Sequence, residues 1–401
     1  MTPWSNAVAF GSLQLIHERV TTVARFWKEP YEALRESQKL ALIRVVVGIA
    51  FMLAGRGTIV SAQDPAGPRR GLAPATGQAA AANQGHNLTR PDLPNPFRIV
   101  ENIVTMPPGR TMGSTNAINV DSKGNIWVFE RCGVNSCADS NLDPILEFDP
   151  SGRFIHSFGS GQFVFPHGVI FDQDDNMWIV DAGVVENVKG NQIFKYSPSG
   201  ELLMTLGRPG VRGTTPDLFN EPSDLAIAPN GDLYIADGHI NVESNRRIVH
   251  LSKDGKFIEA WGSKGTGPLQ FDNPHAIALD SKGRIFVGDR TNNRIQILSP
   301  RGEFITEWRQ FGRPSGVRIH NDILYVADSE SRNVSGQYGY NPGFHRGIYI
   351  GSVNDGVVTA FIPDPRPNGG ASFPEGISVD KSGTIWGASI GDRKVLKFVK
   401  N

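Results

Sequence analysis

Two histidines and one glutamate stand at recurring positions where they could bind a metal. Each directly follows a proline and opens an apolar run: His167, His275 and Glu375. Two imidazoles and a carboxylate, with one position left for water or substrate, form a ligand set known from catalytic zinc sites. Such residues can also line a hydrated channel without any metal. The pattern therefore predicts a metal site only if the fold brings the three side chains together.

A second group of polar residues lies just beyond the acids that end aromatic-rich runs. This group comprises Arg131, His239 and Arg290. Arginine can bind a substrate carboxylate through two N–H groups or stabilise a developing oxyanion, and histidine commonly transfers protons. We predict catalytic roles for these three residues, although a solvated role for any one of them fits the pattern equally well.

The elements that must position these residues form a sixfold repeat. Each copy alternates apolar and polar residues on both sides of a turn rich in Gly, Asn or Asp, as in a β-hairpin. The copies occupy residues 117–130, 168–181, 224–237, 276–289, 316–328 and 376–389. Third and fourth strands follow, such as ILEFDPSG and RFIHSF. Four antiparallel strands per unit are typical of a propeller blade, so we predict an all-β, six-bladed β-propeller.

The two ends of the repeat region favour a closed ring. The last copy has only three strands, and segment 97–106 precedes the first copy as a spare strand. Pairing the spare strand with the last copy would complete the sixth blade and remove an open edge. The predicted propeller therefore spans residues 97–401. His167, His275 and Glu375 would then belong to blades two, four and six, which are about 120° apart around the axis.

Acids at the ends of the second strands form another ring. Its members are Glu130, Asp181, Asp237, Asp289 and Asp328. We interpret them as structural, because an acid at this position can accept backbone N–H groups or pair with an arginine of the next strand.

The N-terminal region has the features of an export signal. Residues 1–62 contain an uncharged apolar run at 45–55, preceded by basic residues and followed by small ones. This arrangement predicts a signal peptide, with an uncleaved membrane anchor as the alternative. Residues 63–96, rich in Ala, Pro, Gly, Gln and Asn, predict a flexible linker. We expect a periplasmic or secreted protein, with a membrane tether possible through the apolar run.

Cysteine content and charge limit the remaining possibilities. Cys132 and Cys137 do not have metal or redox spacing, and they would close a small disulfide loop in an exported protein or remain thiols in the cytosol. Forty basic and forty acidic residues balance, which argues against nucleic-acid binding. We expect a monomer that binds a small-molecule or peptide substrate at the channel mouth.

The motifs FPHGVIFDQDDNMWIVD, NPHAIALDSKGRIFVGD and FPEGISV carry a family resemblance. The copies resemble NHL repeats, and residues 110–400 resemble peptidyl-α-hydroxyglycine α-amidating lyase. That resemblance implies an axial zinc held by three histidines, a nearby structural calcium, and an arginine and a tyrosine acting on a hydroxyglycine hemiaminal. His167 and His275 match two zinc ligands, Arg131 matches the catalytic arginine, and Arg290 matches an arginine beside the site.

Three departures from the family stand out. Glu375 replaces the third zinc histidine, and Gly376 replaces the acid associated with calcium. The tyrosine position falls at or near His239. Zinc is therefore the expected cofactor, whereas the calcium site lacks its acid.

Three functions remain open at this point. The resemblance implies a lyase that cleaves a hemiaminal C–N bond to give an amide and glyoxylate. The alternative is a non-catalytic NHL propeller that binds a ligand or protein. A calcium-dependent lactonase or esterase ranks third, because it needs an axial site rich in Asp, Asn or Glu and the ring offers only Asn116 and Glu375 of these types.

Overall fold

The computed structural model describes residues 92–239, 241, 243–366 and 373–401. These residues form six four-stranded antiparallel sheets and one short parallel pair of strands. The predicted signal segment and most of the predicted linker lie outside the described residues. Within the described ranges, no helix has the length and apolar character needed to cross a bilayer.

Each sheet is one blade, and its strands follow one another from the axis outwards. The final blade begins with the first strand of the chain, β1 (Phe97–Val100). Blade 1 contains β2 (Thr115–Val120), β3 (Ile126–Glu130), β4 (Ile145–Phe148) and β5 (Phe154–Phe158). Blade 2 contains β6 (Pro166–Phe171), β7 (Met177–Val185), β8 (Lys189–Tyr196) and β9 (Leu202–Leu206). Blade 3 contains β10 (Pro222–Ile227), β11 (Leu233–Asp237), β12 (Arg247–Leu251) and β13 (Phe257–Trp261). The parallel pair β14 (Ser263–Lys264) and β15 (Gln270–Phe271) comes next. Blade 4 contains β16 (Pro274–Leu279), β17 (Ile285–Asp289), β18 (Arg294–Leu298) and β19 (Phe304–Trp308). Blade 5 contains β20 (Pro314–His320), β21 (Ile323–Asp328), β22 (Gly347–Ser352) and β23 (Val358–Pro363). Blade 6 contains β24 (Gly376–Val379), β25 (Ile385–Ser389), β26 (Lys394–Lys400) and β1.

The innermost strands form a closed ring. They contact one another in the order β2, β6, β10, β16, β20 and β24, and β24 contacts β2. The predicted all-β, six-bladed propeller is therefore confirmed. Strand β1 pairs antiparallel with β26, with Phe97 opposite Lys400, and it covers the first four residues of segment 97–106. Farther along that segment, Thr105 forms a parallel bridge with Arg153 of blade 1.

The hydrophobic core lies between neighbouring blades, because successive residues of a strand face opposite sides of their sheet. In β3, Trp127 packs towards blade 2, in a cluster that includes Val169. Its neighbours Ile126 and Val128 pack towards blade 6, in a cluster that includes Trp386. Each blade is thus apolar on both faces, and the ring of six blades buries all of these faces.

The acids at the ends of the second strands anchor backbone, as the sequence predicted. Asp181 accepts hydrogen bonds from the backbone N–H groups of Val164 and Phe165, at 2.8 and 2.6 Å. Asp289 accepts one from the N–H of Asp272 and pairs with Arg294, with Nε 2.9 Å from Oδ2. Such bonds hold the segments that lead into the innermost strands of blades 2 and 4, and they therefore help to set where His167 and His275 lie.

We expect Asp328→Asn to lower the free energy of unfolding by roughly 2–4 kcal/mol. Asp328 is fully buried, and its two oxygens accept from the N–H groups of Arg313, Glu330 and Ser331 and from the Ser331 hydroxyl. An amide has one oxygen fewer, so its NH₂ group would face donors. Chemical denaturation measures the change. Asp254→Asn, at an exposed carboxylate paired with Lys253, is the control, and an equal effect in both variants would contradict the structural role.

Candidate metal centre

The residues that follow the prolines form a buried ring around the axis. Five of the six positions line one cavity in the channel: Asn116, His167, His275, Ser315 and Glu375. The sixth, Ser223, is fully buried. The structure thus brings together the two histidines and the glutamate that the sequence identified.

Hydrogen bonds between blades orient the two ring histidines. His167 Nδ1 lies 2.6 Å from the carbonyl oxygen of Ser223, and His275 Nδ1 lies 2.6 Å from that of Ser315. A carbonyl oxygen only accepts, so each Nδ1 carries the proton and each Nε2 keeps its lone pair. The Asn116 amide likewise donates to the carbonyl oxygen of His167 at 3.0 Å. Blades 2, 3 and 5 therefore each fix a side chain of the preceding blade.

His239 completes a cluster of three imidazoles. It lies two residues after the end of β11, and its ring centroid is 4.6 Å from that of His167 and 5.0 Å from that of His275. One ring nitrogen from each of the three histidines lies within 4.8 Å of the others, which is close enough to hold one metal ion. The sequence predicted a proton-transfer role for His239 and did not place it among the ligands.

The chemistry of this cluster fits a metal. The Nε2 atoms of His167, His239 and His275 are all buried, and none has a hydrogen-bond partner among the described residues. Burial, together with neighbouring cationic groups, holds the pKa of all three imidazoles well below its usual range. The rings are consequently neutral near pH 7, which is the form that binds metal. Buried polar atoms without partners are rare in folded proteins unless a ligand satisfies them.

Glu375 lies beside the cluster and is held by an arginine. Its Oε1 is 3.3 Å from His275 Nε2 and 3.8 Å from His167 Nε2. Neither nitrogen forms a hydrogen bond with this oxygen. The same oxygen lies 3.5 Å from Arg290 Nη1, and that Nη1 also lies 3.3 Å from Glu330 Oε1. Arg290, which is itself buried, therefore contacts two carboxylates, and Glu330 also pairs with Arg313 at 2.9 Å.

Arg131 is the buried cation of the site that has no paired carboxylate among the described residues. Its three hydrogen bonds go to uncharged oxygens, those of Asn116, Asn135 and Pro166. The guanidinium also stacks 3.4 Å above the ring of Phe165. Burial lowers its pKa to about 10, against the attraction of Glu375 and Asp181, so Arg131 is charged at neutral pH.

A disulfide fixes the loop that carries Arg131. Cys132 and Cys137 are bonded to each other, and both are buried against the core between blades 1 and 2. The loop closed by this bond contains Asn135, whose side chain accepts from Arg131 at 2.8 Å. The bond therefore restrains both the residue next to Arg131 and one of its partners.

Deeper in the channel, a second ion pair crosses the axis. Arg318 of blade 5 donates to Asp224 of blade 3, with Nη1 2.8 Å from Oδ2, and to the carbonyl oxygen of Val169 in blade 2. Gly376 borders the same cavity, and a Cβ at this position would collide with the carbonyl oxygen of Asn116. This backbone therefore has no room for an acid at residue 376. A calcium ion would therefore find no carboxylate at residue 376. The nearby carboxylate of Asp224 is already paired with Arg318.

Sequence reasoning missed Glu330 and Phe165. Glu330 lies two residues after the strand-end acid Asp328, in the same kind of loop as His239, and this position is the signal that could have identified it. Phe165 precedes the proline of blade 2, where nothing in the sequence indicates that it stacks on Arg131.

The fold and the site together define an NHL-type six-bladed propeller with a histidine cluster on its axis. Residues 271–298 match the NHL repeat family. Human NHL repeat-containing protein 3 is 31% identical over 300 residues, which cover 72% of this chain and 80% of that protein. The chain therefore belongs to the family of NHL repeat-containing proteins.

The chain is also similar to peptide-amidating proteins, as its motifs indicated. Mouse peptidyl-glycine alpha-amidating monooxygenase is 32% identical over 274 residues, covering 60% of this chain and 27% of that protein. Drosophila melanogaster peptidyl-alpha-hydroxyglycine alpha-amidating lyase 1 is 28% identical over 226 residues, covering 49% of this chain and 40% of that protein. These matches support the resemblance, and the chain spans less than half the length of either protein.

Proposed function

We propose that this chain is an exported, metal-dependent lyase related to the peptidyl-α-hydroxyglycine α-amidating lyases. It would cleave the C–N bond of a hemiaminal to give an amide and glyoxylate. The observation that carries this proposal is the cluster of three buried, neutral imidazoles whose Nε2 atoms lack partners. The similarity to proteins named as amidating lyases supports the substrate class.

In this proposal the ligands are His167, His239 and His275, and the metal is zinc. His239 takes the ligand role that the sequence assigned to Glu375, because its ring belongs to the cluster. These three imidazoles would hold the ion and would leave it able to take the substrate as a further ligand. A bound zinc supplies a positive charge that makes a hydroxyl group more acidic.

The remaining side chains bind the substrate and move its proton. Arg131 has five N–H groups, of which three are bonded within the protein, so two are available for the substrate's carboxylate. Glu375 borders the imidazoles and accepts the proton of the hemiaminal hydroxyl. As the C=O bond forms, the C–N bond breaks, and the nitrogen leaves with the bonding electrons and takes up a proton. Arg290 holds Glu375 in place through their ion pair, so its role is positioning.

Export is part of the same proposal. The Cys132–Cys137 disulfide supports it, since disulfides persist mainly in oxidising compartments.

A binding module remains the second candidate. The ion pairs of Arg290 with Glu375 and Glu330 give these three side chains charged partners without any substrate. In addition, human NHL repeat-containing protein 3, of which this chain covers 80%, is named for its repeats and not for an activity.

Glyoxylate release from an α-hydroxyglycine peptide tests the proposal. We expect release by the wild type and its loss in His167→Ala, because one of three zinc ligands is removed. His320→Ala, at the far end of β20 where the side chain contacts Asn321, should match the wild type. Release that is unchanged in His167→Ala would contradict the lyase proposal. Bound zinc without turnover would favour the binding module.

A further inference from the structure

Two residues before the blade prolines have an unusual backbone conformation. Glu221, before Pro222, has φ +62°, and Asn273, before Pro274, has φ +87°. Positive φ is uncommon for residues other than glycine, and a following proline favours extended backbone instead. Such conformations persist where the surroundings hold them, and they concentrate at functional sites.

The contacts of Glu221 enclose the loop that carries His239. Its carboxylate accepts from the backbone N–H of Asn241 at 3.0 Å and from the Asn241 side-chain amide. Its carbonyl oxygen accepts from the N–H of Gly238 at 3.1 Å. Glu221 thus binds the residue before His239 and a residue two positions after it. The Asn191 side chain accepts from the N–H of Glu221 itself, at 2.9 Å.

Residues next to Glu221 and His239 also contact the described part of this loop. The Asn220 amide donates to the carbonyl oxygen of Glu243 at 2.7 Å. Gly238 has φ +148°, and a Cβ at this position would collide with the carbonyl oxygen of Asn245 where the loop returns. Gly238, at the start of the loop, therefore lies in close contact with Asn245 at its end. His239 directly follows this close contact.

Asn273 has the corresponding position and a corresponding partner in blade 4. Its carbonyl oxygen accepts from the N–H of Arg290 at 2.9 Å. When the Asn273 side-chain amide is oriented with its oxygen towards Arg290, this oxygen accepts from Nη2 and Nε of Arg290 at 3.1 and 3.3 Å. Glu221 and Asn273 are the two residues before blade prolines with positive φ among the described residues. Each holds the segment that supplies its blade's residue to the site, His239 in one case and Arg290 in the other.

We infer that Glu221 is a positioning residue for the metal centre: it binds Gly238 and Asn241, on either side of His239, so that His239 completes the three-histidine cluster. This inference rests on the proposed function, in which His239 is a ligand. Glu221 acts through the loop backbone and Asn241, and it does not touch the metal. The ligands of blades 2 and 4, His167 and His275, are oriented by carbonyl groups of the ring. His239 of blade 3 instead depends on the contacts that Glu221 makes with its loop.

Zinc affinity, measured by competition with a chromophoric chelator, tests this role. We expect Glu221→Gly to weaken zinc binding by about 10–100-fold, the usual effect of removing a group that orients a metal ligand. Glycine adopts positive φ without strain, so this variant should fold while lacking the carboxylate. Glu221→Gln keeps one acceptor oxygen and should weaken binding less. Glu186→Gln, at an exposed glutamate paired with Arg212, is the control and should bind as the wild type does.

A double-mutant cycle distinguishes positioning of His239 from a general effect on stability. In the His239→Ala background, Glu221→Gly should cause no further loss of zinc affinity, because the residue it positions is already absent. An equal loss in both backgrounds, or wild-type affinity in Glu221→Gly, would overturn the inference. If the wild type binds one zinc ion and His239→Ala weakens that binding, the proposed metal centre stands, whatever the effect of Glu221→Gly. A wild type that binds no zinc would overturn both.

Discussion

Replacing His239 with alanine is expected to reduce bound zinc from about one ion per chain to nearly none, whereas Glu375→Gln should retain it. The three imidazoles form the cluster, and the loss of one leaves two nitrogens, which bind zinc weakly. Glu375 lies 3.3 Å from His275 Nε2, but Arg290 also holds it, so its charge is not needed to complete the ligand set. Elemental analysis of protein dialysed against a weak chelator measures the bound metal.

The opposite order of the two variants would restore the ligand set that the sequence suggested. If Glu375→Gln loses zinc and His239→Ala keeps it, the ligands are His167, His275 and Glu375, and His239 returns to a role in proton transfer. His320→Ala controls for the loss of any histidine, and thermal unfolding of each variant shows that the fold is retained.

Arg131→Lys is expected to lower kcat/KM for an α-hydroxyglycine peptide by about 10²–10³-fold, the range seen when a donor to a developing charge is removed. Arg131 is buried and has no paired carboxylate among the described residues, so it is the cation available to the substrate's carboxylate. Lysine keeps the charge but cannot form the two-pronged contact of a guanidinium. Steady-state kinetics and zinc content, measured together, check this result, because zinc should stay bound.

Two further arginine variants serve as comparisons for Arg131→Lys. Arg301→Gln, at an exposed arginine, should leave the kinetics unchanged. Arg290→Lys should reduce the rate less than Arg131→Lys, because Arg290 already contacts the carboxylates of Glu375 and Glu330. Full activity in Arg131→Lys would show that the substrate's carboxylate binds elsewhere.

The parts of the site that could be predicted from sequence are those on the repeating frame. His167, His275 and Glu375 follow blade prolines, and a residue at one position of every blade must face the same axis. The strand-end acids were predictable for the same reason, since each blade repeats the same turn. Their hydrogen bonds to backbone N–H groups agree with the structural role assigned to them.

The parts that could not be predicted lie in loops, where chain length varies from blade to blade. His239 lies beside His167 and His275 in a loop that Glu221 binds through Asn241, and the repeat pattern contains no sign of that side-chain contact. Glu330 meets Arg290 from a different blade, and no pattern along the chain relates the two. Pairings of this kind depend on the curvature of the ring, which a period along the sequence does not encode.

The ion pair between Arg318 and Asp224 has a consequence for what the protein can bind. It joins blades 5, 3 and 2 across the axis, and Asp224 and Arg318 border the same cavity as the ring histidines. A polypeptide passing along the axis would have to break this ion pair. For the proposed lyase, this bridge favours a substrate that presents its terminus to the site over a chain threaded through the ring.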